Sequence, residues 1–209
     1  MISGVWGKKV GMTQVFIGDK AVPVTAIDVS NWIVTDICTQ DRDGYDAVQV
    51  GCLRNRYAGE TFSKDWLKQR KKHFSIVREI KLSQALENVE VGQNADFLDS
   101  IIEGGAVDVF GKTRGRGFAG GVKRHGFTGG PASHGSTLGR APGSMTGARS
   151  QGKVPKGKRL PGHMGTEQRM MKNLKVVKVE SDAKIILVKG SVPGHAGSLV
   201  FVRKVVKAG

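Results

Sequence analysis

Glycine is interleaved with lysine and arginine from Gly111 to Arg124, in the run GKTRGRGFAGGVKR. Within it Gly115, Gly117 and Gly120 match the G-x-G-x-x-G spacing of a dinucleotide-binding turn. Such a turn needs a preceding strand, a following helix and an acid about 20 residues on to hold a ribose hydroxyl. No acid occurs between Asp108 and Glu167, and more glycine follows at once, so that reading fails. Gly147–Lys153 and Gly152–Lys158 each approach a phosphate-binding P-loop. The hydroxyl residue that should follow the lysine and hold magnesium is Val154 in one and Arg159 in the other. Nucleotide hydrolysis is not supported.

Other catalytic constellations fail on composition. His73, His125, His134, His163 and His195 fit no metal-ligand spacing, and Cys38 with Cys52 can complete neither a four-ligand zinc site nor a disulfide scaffold. Ser133-His134 and Ser144 lack the third partner that nucleophilic catalysis requires, so hydrogen bonding to RNA is the plainer role for His134 and Ser144. The expectation is a protein with no catalytic residue, metal, cofactor or small-molecule substrate.

Binding is what the charge supports. The 209 residues carry 33 Lys plus Arg against 18 Asp plus Glu, a net of +15. Residues 1–110 are slightly acidic, whereas residues 111–172 hold 13 basic groups, one acid and 16 of the 30 glycines. Positive charge so concentrated points to a polyanion, most simply nucleic acid. Glycine lets backbone approach phosphates closely, and Lys and Arg displace condensed counterions. Only Phe118 and Phe127 are aromatic there, too few for a base-stacking platform, so the segment reads as a shape reader threading folded RNA. With little apolar surface to offset ordering, much of it is expected to be extended and poorly ordered until an anion neutralises it.

The flanks must position this segment. Ala21–Val29, Trp32–Thr39, Tyr45–Leu53, Ser75–Leu82, Leu174–Val179, Ile185–Lys189 and Leu199–Val206 read as strands, most of them rich in Val and Ile and several bounded by turn pairs such as Gly18-Asp19 and Asp43-Gly44. Thr61–Phe74, free of glycine and proline, reads as one short helix. Its run Lys68–Lys72 reads as a solvated or rRNA-facing surface. The expected fold is mainly β: a closed or nearly closed barrel built from residues 1–110 and 173–209, with residues 111–172 as a basic excursion anchored at both ends. No apolar run approaches a membrane span, and the opening residues do not resemble a secretory signal, so a cytosolic protein without a membrane partner is expected.

At Asp108–Arg124 (DVFGKTRGRGFAGGVKR) the sequence resembles the signature of the universal large-subunit ribosomal protein L-three family, bacterial type. Asp108, Gly111, Thr113, Gly115, Arg116, Gly117, Gly120 and Arg124 fall at the family's spacing. Ile101 stands where that family usually has Phe or Leu, a conservative departure. Gly7–Phe16, His134–Gly165 and Leu187–Gly194 resemble further parts of it, so the likeness covers essentially the whole chain.

The resemblance implies a six-stranded translation-protein (Greek-key) β-barrel with an inserted arm, and early binding to large-subunit (23S) rRNA near its 3′ domain. It implies a loop tip, Gly143–Lys156, approaching and bracing the peptidyl transferase centre, and protein neighbours including those numbered fourteen and nineteen. Some relatives carry a methylated Gln where ungapped alignment places Arg149, which argues against methylation here and adds a positive charge instead.

The phosphate-contacting candidates are, near the start of the segment, Lys112, Arg114, Arg116, Lys123 and Arg124. Farther on they are Arg140, Lys153, Lys156, Lys158 and Arg159. Gly115, Gly117, Gly120 and Gly143 would permit close backbone approach. Alternatives from other classes are an architectural nucleic-acid-binding protein or RNA chaperone outside the ribosome, and an RNA-modifying enzyme, for which no cofactor motif speaks.

Overall fold

A computed structural model describes residues 3–57, 59–82, 89–145 and 152–205. The chain divides into two compact units, Met1–Lys112 with Gln168–Gly209, and Thr113–Glu167.

The first unit is mainly β. Its strands are β1 (Gly4–Ile17), β2 (Lys20–Asp28), β3 (Trp32–Cys38), β4 (Ala47–Leu53), β5 (Phe74–Lys81) and β6 (Ala106–Lys112). The second unit then supplies the two-residue strands β7 (Phe118–Ala119) and β8 (Gly162–His163), after which the first unit resumes with β9 (Gln168–Glu180), β10 (Ile185–Lys189) and β11 (Leu199–Lys204). Six of these make one antiparallel sheet in the order β1-β11-β6-β9-β10-β2, and β2 pairs back onto β1, so the sheet closes on itself. Closure satisfies the backbone groups that an open edge would leave unpaired.

The enclosed core is almost all β-branched: Val5, Ile27, Val109, Val176, Ile186, Val188, Val200 and Val202 are buried together. Residues of this type pack well on a pleated surface because their χ1 is already restricted. Two glycines allow the strands to close. A Cβ on Gly4 would lie 2.2 Å from the Val202 carbonyl oxygen, and one on Gly7 would lie 2.6 Å from Ile27 Cγ2.

A separate three-stranded sheet, β3-β4-β5, packs beside the closed one. Trp32, Val34, Val48, Val50 and Ile80 form its buried face against Trp6, Phe97, Leu199 and Phe201. The rings of Trp6 and Phe201 lie 4.8 Å apart. Sequence alone assigned all these strands to one barrel, because alternation marks a half-buried strand without naming its sheet.

The single helix expected over Thr61–Phe74 is instead two one-turn helices, α2 (Asp65–Lys68) and α3 (Arg70–His73), which follow the short α1 (Gln40–Asp43) in the chain and are separated by a break at Gln69 (φ −118°, ψ 50°). Only Trp66 and His73 are buried on them, and no side chain caps their N-termini. So short a segment cannot repay helix nucleation except by packing, and the break lets both rings face one cluster, stacked 5.0 Å apart.

Asp108 fixes β6 to its neighbours from an almost buried position. It accepts from Arg203 Nη2 at 2.9 Å and from the Asn173 backbone N–H at 3.0 Å. Arg203 in turn lies over the Phe110 ring, 4.9 Å from its centroid. Burial alone would push the Asp108 carboxyl up; the Arg203 guanidinium, the Asn173 N–H and the Lys172 charge outweigh it and hold the carboxyl below its ordinary value.

Candidate nucleic-acid interface

The candidate residues lie almost entirely in Thr113–Glu167. The exception, Lys112, ends β6 in register with Gln168. Gly111–Lys112 and Gln168–Lys172, grouped by composition with the basic segment, are strand residues.

The two limbs of the second unit are zipped together at their roots. Thr113 N–H donates to the Glu167 carbonyl at 2.8 Å, and Thr166 N–H returns to the Thr113 carbonyl at 3.1 Å. Arg116 N–H donates to Met164, and Met164 N–H donates to Gly117, both at 2.9 Å. The ladder continues as β7 against β8, pairing Phe118 with His163 and Ala119 with Gly162. Gly165 makes this closeness possible: its φ is +83°, and a Cβ there would sit 2.2 Å from the Arg114 carbonyl oxygen.

Beyond the ladder the chain turns once as helix α4 (Gly121–His125). Gly120 precedes it in extended conformation, and Gly126 ends it at φ 72°, donating to the Gly121 and Val122 carbonyls. A left-handed residue at this position closes the helix, and glycine adopts it without penalty. Arg124 and His125, in the last turn, both reach the Leu160 carbonyl. Arg124 Nη1 donates at 2.7 Å, and His125 Nε2 lies 3.0 Å away. Gly162 leaves room for this guanidinium, since a Cβ there would stand 2.6 Å from Arg124 Nη1. Arg124 is therefore half-buried, with part of its donor capacity spent inside the unit, and acts as a strut. Sequence grouped it with the freely exposed cations because a backbone carbonyl partner leaves no trace in residue type.

The distal part is pinned at Gly130, whose N–H donates to the Gly139 carbonyl at 2.7 Å. His134 between them takes φ 60° and is exposed. Gly143 takes φ 78°, and Ser144 is exposed beside it. Lys158 N–H donates to the Pro155 carbonyl at 3.3 Å, making a turn that presents Lys156, Lys158 and Arg159 to solvent with Lys153 close by. Arg149 and the first P-loop-like segment fall, wholly or largely, outside the described residues.

The expectation of an extended segment is modified at its root, Thr113–His125 with Gly162–Glu167, while no helix or strand occurs among the described residues from Gly126 to Pro161. Backbone hydrogen bonds and left-handed glycine turns organise the root. The side chains are left outward. Arg114, Arg116, Lys123, Arg140, Lys153, Lys156, Lys158 and Arg159 are all exposed. Gly115, Gly117 and Gly120 are exposed too, so backbone is accessible among the cations. Composition gives Phe118 no role, yet the residue is 81% exposed. Among the described residues no three His, Cys, Asp or Glu side chains gather as metal ligands, and Cys38 and Cys52 are buried and free. Nor is any helix among them long and apolar enough to cross a membrane. The arrangement can donate hydrogen bonds and neutralise negative charge.

These features define a mainly β protein with an inserted, glycine-rich unit whose cations are offset by a single acid, Glu167. Comparison with known proteins gives the family. The family model described as "Ribosomal protein L3" matches residues 79–184. A "Large ribosomal subunit protein uL3" from Pelotomaculum thermopropionicum is 44% identical over 100% of this chain and 99% of its own length. Proteins of the same name from Syntrophus aciditrophicus (42%, over 97% of this chain and 93% of theirs) and Lactobacillus gasseri (42%, over 100% and 99%) are also similar. The chain belongs to the ribosomal protein L3 family, whose members are structural components of the ribosome rather than enzymes.

Proposed function

We propose that this chain is a structural constituent of the large ribosomal subunit and binds large-subunit (23S) rRNA directly, near its 3′ domain, through Thr113–Glu167. The observation that carries this reading is the set of eight exposed cations among that unit's described residues, set among accessible glycine backbone, in a chain of this family. The six-stranded closed sheet is the Greek-key barrel of translation proteins, serving as the anchor for the insertion. Binding is early in assembly, and the tip Gly143–Lys156 braces rRNA at the peptidyl transferase centre without taking part in bond formation. The neighbours include the ribosomal proteins numbered fourteen and nineteen, and the location is cytoplasmic.

Salt dependence tests the binding claim. Each phosphate contact contributes about −0.7 to −0.9 to the slope of log affinity against log salt. If all eight exposed cations engage, the slope on a large-subunit rRNA fragment is about −6 to −7. Competition with duplex DNA accompanies the titration. Preference for rRNA supports the reading, whereas preference for DNA, or a slope near zero, contradicts it.

A further inference from the structure

The hairpin of β1 and β2 outruns the closed sheet. β1 pairs with β11 only from Gly4 to Lys8, and β2 pairs with β10 only from Val24 to Asp28. Lys9 adds backbone hydrogen bonds with Gly197 and Ser198, and Pro23 accepts from Gly190. Beyond those positions, among the described residues, Gly11–Ile17 of β1 ladder only to β2, and Lys20–Val22 of β2 ladder only to β1. A two-stranded ribbon is marginal by itself in water.

One face of this ribbon is exposed and uncharged. Met12, Gln14 and Phe16 alternate along β1, and the register sets Pro23 opposite Gln14 and Ala21 opposite Phe16. Directly opposed residues share a face of an antiparallel pair. All five are exposed, Phe16 at 69% and Met12 at 53%. In a chain with 33 basic residues, none falls between Lys9 and Lys20, and Asp19 is the single acid there.

We infer that this hairpin face docks against an apolar, uncharged surface of a protein neighbour in the large subunit; the inference rests on the proposed residence there. A polyanion is a poor match, because affinity for phosphates comes from cations that this ribbon lacks. A second copy of the chain is disfavoured by the mutual repulsion of two bodies each carrying +15. A protein surface gains from covering the exposed Phe and Met, and a partner strand can also pair the unladdered edge of β1, whereas Pro23 blunts the edge of β2.

The test places a photoreactive benzophenone side chain at position 16 of the full chain, and in a second preparation at position 118, within assembled large subunits. After irradiation, position 16 is expected to join a protein and position 118 to join rRNA. Adducts of position 16 with rRNA, or no adduct, overturn the inference. If position 118 joins no rRNA while position 16 joins a protein, the rRNA assignment of the basic unit fails and the docking face stands. A chain that enters no subunit overturns both. As a second measurement, Met12→Glu with Phe16→Glu in one chain is expected to leave the chain on rRNA but reduce one protein neighbour several-fold in quantitative mass spectrometry of the subunit. Unchanged protein composition overturns the inference.

Discussion

Arg124 donates from Nη1 to the Leu160 carbonyl at 2.7 Å, tying α4 to chain 36 positions away. A hydrogen bond from a charged donor contributes about 1.5–3 kcal/mol, toward the lower end for a half-buried group. Arg124→Ala is therefore expected to open this unit locally, with amide exchange in α4 faster by roughly tenfold. Arg124→Lys keeps the charge but loses the planar fork. It is expected to weaken rRNA binding while leaving the salt slope unchanged. Wild-type exchange rates in α4 of Arg124→Ala would remove the strut.

Gly165 and Gly117 form a matched pair for backbone substitution. Gly165 has φ +83° and a Cβ there would meet the Arg114 carbonyl oxygen at 2.2 Å, whereas Gly117, at φ +66°, faces open space. Gly117→Ala is expected to cost only left-handed strain, about 1–2 kcal/mol. Gly165→Ala adds a collision with backbone and is expected to cost more and to separate the Thr113–Thr166 root, read as loss of amide protection at Arg116 and Met164. Equal effects of the two substitutions would contradict the close approach.

Charge and stacking can be separated at neighbouring residues. Arg116 is exposed, with only its backbone N–H engaged in the root ladder. Arg116→Ala is expected to reduce the salt slope by about 0.7–0.9. Phe118→Ala is expected to weaken binding by about 1–3 kcal/mol, the usual contribution of one base stacked on an aromatic ring, without changing the slope. Isothermal titration across a salt series reads both. An unchanged slope for Arg116→Ala removes it from the phosphate contacts.

The Asp108–Arg203 pair makes the first unit sensitive to acid. Because the folded carboxyl lies below its ordinary value, its stabilising contribution is complete above the unfolded value of about 3.9 and is lost as pH falls through the folded value. Asp108→Asn is therefore expected to destabilise the chain at pH 7, with the difference from wild type shrinking below about pH 4. Denaturant midpoints followed by tryptophan fluorescence at both pH values measure this. A difference that stays constant down to pH 3 would show that Arg203 does not hold the carboxylate.

Much of this organisation is written in residue type, because Val- and Ile-rich runs between turn pairs such as Gly18-Asp19 mark strands directly. β1 and β6 were not legible as strands. Gly4, Gly7, Gly11 and Gly111 dilute their alternation, and at Gly4 and Gly7 those glycines serve the close packing of neighbouring backbone. The separate β3-β4-β5 sheet was hidden because pairing partners are a long-range property. The break at Gln69 was hidden because Trp66 and His73 meet through tertiary packing, which overrides local helix preference. At the candidate interface the cations were legible from charge alone. The root ladder and the Arg124–Leu160 strut were not, since backbone groups carry no sequence signal.

The most direct measurement is chemical footprinting of large-subunit rRNA with the intact chain and with a variant carrying Lys153→Gln, Lys156→Gln and Lys158→Gln. These side chains are exposed, and none supplies a side-chain hydrogen bond to the root ladder or the strut. The intact chain is expected to protect nucleotides at its docking site and a second set at the peptidyl transferase centre; the variant should lose the second set and keep the first. Identical footprints, or no protection by either chain, would contradict the assignment of Thr113–Glu167 as the rRNA-reaching unit.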